Sequence, residues 1–131
     1  MRTFTLLALL ALGLAGCSTP TVETRKKERP SAYATLPPEQ KTLVDDGKIQ
    51  VGMPPDAVYI AWGQPAEVLE SETAQGHTTH WIYYGQWAEE QRYWIGRHLE
   101  SDYYPRSYVR AEIIFQNGVV ASWQTLPKPV Q

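Results

Sequence analysis

The chain has 131 residues, with 12 lysines and arginines against 14 aspartates and glutamates, and its formal net charge is −2. Hydrophobic residues make up 43% of the sequence, which argues against both a disordered chain and a polytopic membrane protein. The slightly acidic balance argues against nucleic acid as a partner. The length corresponds to one modest domain.

An apolar segment near the start of the chain runs into the only cysteine. Residues 4–15 are apolar or small apart from one threonine, and the segment closes with Leu14-Ala15-Gly16-Cys17. Such a run before a small-residue site is typical of a secretory signal peptide, and it is too short to span a bilayer. The alternative interpretation is a buried free cysteine in an N-terminal helix.

The end of this segment resembles the lipobox of bacterial lipoproteins. The resemblance implies that residues 1–16 are a signal peptide, removed before Cys17, and that Cys17 carries three acyl chains. Several chains are needed because a single one anchors a protein only marginally. By the same resemblance, Ser18 implies transfer to the outer membrane, on its periplasmic face. The covalent lipid is the only cofactor that we expect.

A polar segment follows, and we predict that residues 17–35 form a lipidated, flexible tether. The segment contains two prolines and shows neither helical nor strand periodicity. Its basic residues Arg25, Lys26, Lys27 and Arg29 are candidates for contact with anionic lipid headgroups. Each such contact is worth about 1 kcal/mol near the membrane surface. A solvated linker without headgroup contact is the alternative.

Two short helices are predicted at the start of the folded domain, which we place at residues 36–126. The first begins at residues 37–39, where prolines and a glutamate suit a first helical turn, and stops at Gly47. Residues 48–51 are predicted to be extended, with both aliphatic side chains on one side. The second helix begins at residues 54–55 and ends at Gly63.

The hydrophobic period then changes to that of strands. We predict strands at residues 66–72, 77–84, 109–115 and 119–123 from their alternation and their β-branched and aromatic content. The order of elements predicts an α+β domain in which both helices pack on one face of a small antiparallel sheet, giving two layers. Residues 127–131 are a short tail.

The last hairpin has two possible registers. A two-residue turn would place Trp123 on the polar face of its partner strand, whereas a three-residue loop at 116–118 pairs Phe115 with Val119. The second register puts every apolar side chain of the pair on one face, and a one-residue slip would move them all to the other. We therefore predict the three-residue loop, with Gly118 in the left-handed conformation.

Several segments together resemble the SmpA/OmlA (BamE-like) family of outer-membrane lipoproteins. They are residues 48–53, Val58, residues 62–65, residues 81–83 and the hairpin at 113–119. The resemblance implies the fold with two helices and one sheet, and a non-enzymatic role in β-barrel protein assembly and envelope integrity. The partner it implies is therefore an envelope protein, such as a β-barrel assembly complex.

An insertion at residues 86–108 departs from that family pattern. It contains six of the chain's aromatic residues and several arginines, the residue types favoured at interface hot spots. A helical turn and strand extensions are equally compatible with its sequence. We expect a partner surface here, formed by Trp87, Tyr93, Trp94, Tyr103 and Tyr104. The alternative is that the rings cover an otherwise open face of the sheet.

Catalytic chemistry has little support in the sequence. There is no Gly-rich phosphate loop and no nucleophile elbow, so we expect no enzyme and no small-molecule substrate. The only residues that resemble metal ligands are His77, His80, His98, Glu100 and Asp102. Because the first two histidines point to opposite faces of a strand, we expect no metal site.

Two classes of function remain. The first is a lipid-anchored accessory or scaffold protein of an outer-membrane complex. The second is a free-standing periplasmic binding or inhibitor lipoprotein, which contacts a soluble enzyme, peptidoglycan or lipid. The same small fold serves several kinds of protein-binding lipoprotein, so the fold does not decide between them.

Overall fold

The computed structural model describes residues 19–130. It contains four helices followed by four strands, and this order confirms an α+β protein. The helices are α1 (Val22–Glu28), α2 (Pro30–Thr35), α3 (Pro38–Asp45) and α4 (Pro55–Trp62). The strands are β1 (Glu67–Thr73), β2 (Gly76–Ile95), β3 (His98–Gln116) and β4 (Val119–Thr125).

The four strands form one antiparallel sheet in the order β1-β2-β3-β4. β1 pairs with β2 only as far as Glu67 and Ile82, and β4 pairs with β3 only as far as Thr125 and Ala111. β2 and β3 continue to pair with each other up to Ile95. A four-stranded region is therefore extended by a two-stranded one.

The prediction of a flexible tether over residues 17–35 was wrong for most of that segment. Residues 22–35 form α1 and α2, which the sequence-based interpretation of two helices did not include. Thr21 caps α1 by accepting a hydrogen bond from the Thr24 amide, and Pro30 occupies the first turn of α2. Both helices are short, so their stability depends on packing against the rest of the chain.

Arg25 attaches α1 to the end of α4. Its side chain is buried, with Nε donating to the carbonyl oxygen of Ile60 at 2.8 Å and Nη2 to that of Ala61 at 2.9 Å. The last carbonyls of a helix have no intrahelical donor, and a cation near them also interacts favourably with the helix dipole. Nη1 donates to the carbonyl of Pro20 and closes the start of α1.

The core is a single buried cluster drawn from the helices, the loops and the sheet. Its members are Leu36, Val44, Ile49, Met53, Ala57, Val58, Ile60, Ala61, Tyr83, Ala111, Ile113, Phe115 and Val120.

Trp62 packs edge-on against the rings of Tyr83 and Trp123, and its indole donates to the carbonyl of Gly47. Tyr83 donates to the carbonyl of Gly63, and burial raises the pKa of this tyrosine far above its usual value.

Residues 48–51, predicted to be extended with one apolar side, form no strand. Ile49 is buried but Val51 is exposed, because the chain turns at Gly52 with φ of 92°. After this turn the backbone meets β4: the Gly52 amide donates to the carbonyl of Val120, and the Val120 amide donates to that of Met53. This loop therefore covers part of the free edge of β4.

The predicted register of the last hairpin was also wrong. Phe115 pairs with Val120 across a two-residue turn in which Asn117 and Gly118 both have positive φ, which is a type I′ geometry. The pairing then shifts by one residue at a bulge, so that Trp123 pairs with Ile113. The bulge removes the conflict that had favoured the longer loop. The left-handed conformation of Gly118 is confirmed.

We expect Arg25→Ala to lower the free energy of unfolding by about 2–4 kcal/mol, because it leaves buried carbonyl oxygens of α4 without a donor. Urea unfolding of a soluble chain spanning residues 19–131 measures the change. Lys27→Ala is the matched control, since Lys27 is exposed on the same helix. Equal stability of the two variants would contradict the attachment of α1 to α4 by Arg25.

Gly118→Val should lower the free energy of unfolding by about 1–2 kcal/mol or more, because a β-branched residue is strongly disfavoured at positive φ. The φ of Gly118 is +82°. Gly118→Asn is the control, because asparagine tolerates the left-handed region, and it should remain close to the parent chain. Both are measured by the same urea titration, and a neutral valine variant would mean that the turn adopts another conformation.

Candidate partner surface

The two-stranded extension of the sheet contains the predicted partner surface, and we call residues 84–95 and 98–109 the ribbon. Within residues 19–130 no third strand pairs with it. Twelve residues of strand correspond to a length on the order of 40 Å. The insertion that the sequence marked as unusual is therefore a projection from the domain.

The ribbon consists of extensions of strands β2 and β3, which is one of the two conformations compatible with its sequence. Its strands meet at a two-residue turn of Gly96 and Arg97, with φ of 62° at Gly96. A positive φ at the first central position, with none at the second, is the type II′ pattern that suits the twist of a hairpin. Gly96 thus lies at the apex of the ribbon.

Directly opposite residues share a face of the ribbon, and the pairing divides its side chains into two sets. One set, which we call the front face, contains Glu90, Arg92, Trp94, Leu99, Ser101 and Tyr103. The other, the back face, contains Trp87, Glu89, Tyr93, Ile95, His98, Glu100, Asp102, Tyr104 and Arg106. The five predicted aromatic residues are therefore spread over both faces and do not form one patch.

Four of the five predicted rings are exposed. On the front face Trp94 and Tyr103 are 69% and 66% exposed, and on the back face Tyr93 and Tyr104 are also exposed. Trp87, at the base of the ribbon, is half-buried. Rings that covered an open sheet face would be shielded on one side, so these exposures favour the interpretation as an interaction surface.

Two aliphatic residues near the apex are exposed beside the rings, one on each face, and sequence reasoning missed both. Leu99 lies opposite Trp94 on the front face and is 51% exposed, and Ile95 on the back face is 59% exposed. The signal was present as a Gly-Arg turn that follows Tyr93, Trp94 and Ile95. Recognising that turn as a hairpin would have placed the two aliphatic side chains beside the rings.

Polar contacts across the strands stiffen the ribbon. On the back face the Tyr93 hydroxyl donates to Asp102 at 2.9 Å, and Arg106 donates to Glu89 at 2.7 Å. The first of these bonds raises the pKa of Tyr93, because it stabilises the hydroxyl form beside a carboxylate. The first contact fixes the hydroxyl end of the Tyr93 ring, so this ring is preorganised rather than loose.

The front face has a comparable group around Glu90. Its carboxylate accepts from the Ser101 hydroxyl at 2.9 Å and from Arg92 at 3.1 Å. The Ser101 hydrogen bond is the main reason that the pKa of Glu90 lies below its usual value, and the Arg92 contact adds to it. Exposed ion pairs of this kind stabilise a fold only weakly, so their main effect is on orientation.

The base of the ribbon is fixed by a glycine and a bulge. The ring of Tyr108 lies over Gly85, where a Cβ atom would come within 2.6 Å of it. On the side of Gly85 nearer the domain, the pairing of β2 with β3 shifts by one residue, so that Arg110 is the extra residue of β3. A ring over a strand glycine supports a position that would otherwise be weak in a sheet.

The predicted headgroup contacts are corrected by the structure. Arg25 is buried against α4 and is therefore not available to a membrane. Lys26 donates to Asp45 and lies over the Tyr33 ring, and Arg29 pairs with Asp56 and stacks on Tyr59. Lys27 is exposed. Three of the four cations thus join parts of the domain to one another.

The contacts of Lys26 involve several groups. Its ammonium group lies 2.8 Å from the Asp45 carboxylate, which also accepts from the Tyr33 hydroxyl. The hydrogen bond from Lys26 is the first cause of the low pKa of Asp45, and the hydrogen bond to Asp45 is the first cause of the raised pKa of Tyr33. α1, α2 and α3 therefore meet at one polar cluster.

The histidines considered as metal ligands lie at opposite ends of the β2–β3 pair. His80 contacts Glu112 at 3.0 Å, and Glu112 also accepts from Gln124. The His80 contact is the larger cause of the lowered pKa of Glu112. His98 lies at the apex of the ribbon. Within residues 19–130, no three histidine, cysteine, aspartate or glutamate residues form a group that could hold a metal ion.

Cys17, the predicted site of lipid attachment, lies outside the described residues. None of the helices in residues 19–130 is long and apolar enough to cross a membrane. In comparisons with known proteins, the chain matches no family profile, no curated protein and no solved structure.

Replacing Trp94 and Tyr103 together by alanine should leave the thermal midpoint of unfolding nearly unchanged, because both rings are exposed on the front face. Differential scanning calorimetry of the 19–131 chain measures the midpoint. Trp62→Ala is the contrasting variant and should lower the midpoint by several degrees, since its ring packs inside the domain. A large drop for the double variant would show that the two rings are structural.

Proposed function

We propose that this chain is a lipid-anchored periplasmic accessory or scaffold protein of the outer membrane, and that it is not an enzyme. It supports the assembly of β-barrel proteins, or the integrity of the envelope, through protein–protein contacts. The observation that carries the proposal is the ribbon, a long projection with exposed aromatic side chains on both faces. Exposed apolar patches of this kind mark interaction sites on protein surfaces.

The resemblance to the SmpA/OmlA family is part of this proposal. The family's Gly-Met pair corresponds to Gly52 and Met53 just before α4, and its Gly-x-Pro to Gly63 and Pro65 just after it. We also propose the two-layer packing of helices on one sheet face. Its support is the buried cluster, which combines side chains of α3 and α4 with those of β2, β3 and β4.

The position of α1 limits how far the domain can lie from a lipid anchor at Cys17. Val22, where α1 begins, is five residue steps beyond Cys17, and these steps span at most about 18 Å. A protein lipidated at Cys17 therefore carries its folded domain close to the membrane. This short reach favours a membrane-embedded or membrane-bound partner, since the domain cannot search far into the periplasm.

The second candidate is a free-standing periplasmic binding or inhibitor lipoprotein. The observation that favours it is the shape of the ribbon, because a two-stranded projection with Trp94, Ile95 and Leu99 near its apex fits the cleft of a soluble partner. Solubilisation in mild detergent followed by affinity purification distinguishes the two. A stoichiometric complex with a β-barrel assembly protein supports the first function, and recovery with a soluble enzyme supports the second.

The same purification tests the partner surface. The variant with alanine at Trp94 and Tyr103 should retain at most about a tenth of the bound partner, a loss of about 1.4 kcal/mol or more. Lys27→Ala serves as the control, because Lys27 is exposed on α1 and lies outside the ribbon. A double variant that stays folded and still binds its partner normally would place the contact elsewhere on the domain.

Cys17→Ser should abolish lipidation and release the protein from the membrane fraction. The reason is that a thiol is needed for acylation, and several acyl chains are needed for stable attachment. Metabolic labelling with a fatty-acid analogue, followed by fractionation, measures both effects. Ser18→Asp is the companion variant: by the lipoprotein sorting rule it should keep the label and remain in the inner membrane. A Cys17→Ser chain that is still held firmly in the membrane would contradict the lipoprotein assignment.

A further inference from the structure

The outer side of β1 is an edge of the sheet, and the hydrogen bonds of β2 show which of its backbone groups are free. The Asn117 amide donates to the carbonyl of His77, and the Ala66 amide donates to that of Ile82. Because backbone groups alternate along a strand, odd-numbered residues of β2 direct theirs to β3 and even-numbered residues direct theirs to β1.

Half of the backbone groups of β1 therefore point away from the sheet. Glu67 and Leu69 lie opposite even-numbered residues of β2, so their backbone groups face that strand. Val68, Glu70 and Glu72 alternate with them and direct their N–H and C=O groups outward. Within residues 19–130 no strand pairs with this side of β1, and every residue of β1 is exposed.

The other edge of the four-stranded region is partly covered. The loop at Gly52 and Met53 forms backbone hydrogen bonds with Val120 in β4. β1 has no comparable cover among residues 19–130, and it contains neither proline nor lysine, the residues that commonly block strand addition. An edge of this kind accepts a further strand through main-chain hydrogen bonds.

A groove lies beside this edge on each face of the sheet. On the side of the helices, a cavity of ≈ 290 Å³ is lined by Arg29, Tyr59, Gln64, Pro65, Val68 and Trp81. On the opposite face, a cavity of ≈ 170 Å³ is lined by Leu69, Glu70, Ser71 and His80. Successive side chains of an added strand point to alternate faces, so they would enter the two grooves in turn.

The charge of the edge selects the kind of strand that it can bind. β1 carries three glutamates and no basic residue. Glu67 accepts from the Tyr84 hydroxyl, whereas Glu70 and Glu72 have no ion pair or hydrogen bond to another side chain in the part of the chain that is described. Pairing with a second copy of β1 would crowd like charges together, whereas a basic strand would be attracted.

We infer that the outer edge of β1 binds a basic, extended segment of a partner protein as an additional antiparallel strand. Basic side chains of this segment lie opposite Glu70 and Glu72, and apolar ones lie opposite the half-exposed Val68 and Leu69. The antiparallel arrangement is the more stable of the two per residue. This contact goes beyond the proposed function, because it lies in the four-stranded region and does not use the ribbon.

A synthetic peptide tests the inference. The lysine probe is Lys-Thr-Lys-Val-Val-Lys, blocked at both ends and carrying an uncharged fluorophore, and its residues lie opposite positions 72, 71, 70, 69, 68 and 67. The glutamate probe has glutamate in place of each lysine. Fluorescence anisotropy with the full chain in micelles of a non-ionic detergent measures the binding of both.

We expect saturable binding of the lysine probe with a Kd below about 1 mM, at least about tenfold tighter than that of the glutamate probe. The chain with alanine at Trp94 and Tyr103 should bind the lysine probe like the parent chain, so a failure of the ribbon as a partner surface is distinguished from a failure of this inference. Absence of saturable binding of the lysine probe would overturn the inference.

Reversing the charge of the edge tests the selection of a basic strand. With Glu70→Lys and Glu72→Lys combined, the lysine probe should bind at least about tenfold more weakly and the glutamate probe correspondingly more tightly. Both side chains are exposed, so we expect the variant to fold, and circular dichroism checks this. A lysine probe that binds the parent and the reversed chain equally would overturn the assignment of a basic partner.

Methylation of the peptide amides tests whether the probe binds as a strand. The third and fifth amides of the probe face β1 opposite Glu70 and Val68, and methylating both removes two donors and should abolish binding. Methylation of the second and fourth amides, which point away from β1, is the matched control and should change the Kd by less than about threefold. Equal effects of the two modifications would show that the peptide does not pair with β1.

Hydrogen exchange of the chain locates the contact. In the parent chain the outward amides of Glu70 and Glu72 are open to water, and a saturating concentration of the lysine probe should slow their exchange at least about tenfold. The amides of Leu69 and Ser71 face β2 and should change much less. Protection that appears elsewhere in the chain while Glu70 and Glu72 still exchange rapidly would overturn the inferred site.

Discussion

The pairing of β2 with β3 is the constraint on which the rest of the structure depends. At one end it holds Trp81 opposite Ile113 and Tyr83 opposite Ala111, inside the domain. At the other end it continues to Ile95 and His98 in solvent. Because one hydrogen-bonded ladder runs through both regions, the orientation of the exposed rings is coupled to the packing of the core. A hinge at the base of the ribbon would weaken that coupling.

Two local devices keep the ladder continuous where it leaves the domain. The bulge at Arg110 inserts a residue into β3 only, so the alternation of β2 is unbroken from the core to the apex. The ring of Tyr108 covers Gly85 and protects the backbone at the same place. A two-stranded hairpin is marginal by itself in water, and this one is supported by its continuity with four strands below.

The basic residues near the start of the chain have a different role from the one their sequence suggests. Arg25 supplies donors to the end of α4, Lys26 joins α1 to α3, and Arg29 joins the helices through Asp56 and the ring of Tyr59. In each of these contacts, a positively charged side chain binds another part of the same protein. As a consequence residues 22–35 are held against the rest of the domain as α1 and α2.

The sequence alone determined those features that depend on neighbours in the chain. The proline starts and glycine ends of α3 and α4, the strand at β1 and the positive φ of Gly118 follow from turn and cap chemistry, and all were found close to their predicted places. The aromatic insertion was also recognised as a separate feature, because its composition differs from that of a small two-layer core.

Only the tertiary structure decided the features that depend on distant parts of the chain. Arg25 is buried because α4, some 35 residues away, presents carbonyl oxygens without donors, and a local pattern of charges shows no sign of this. The register of the last hairpin depends on a bulge and on the loop at Gly52. The backbone of this loop forms hydrogen bonds with Val120 at the outer edge of β4. Periodicity and turn propensity are local quantities, whereas burial of a charge and the choice of register are settled by the groups that folding brings alongside.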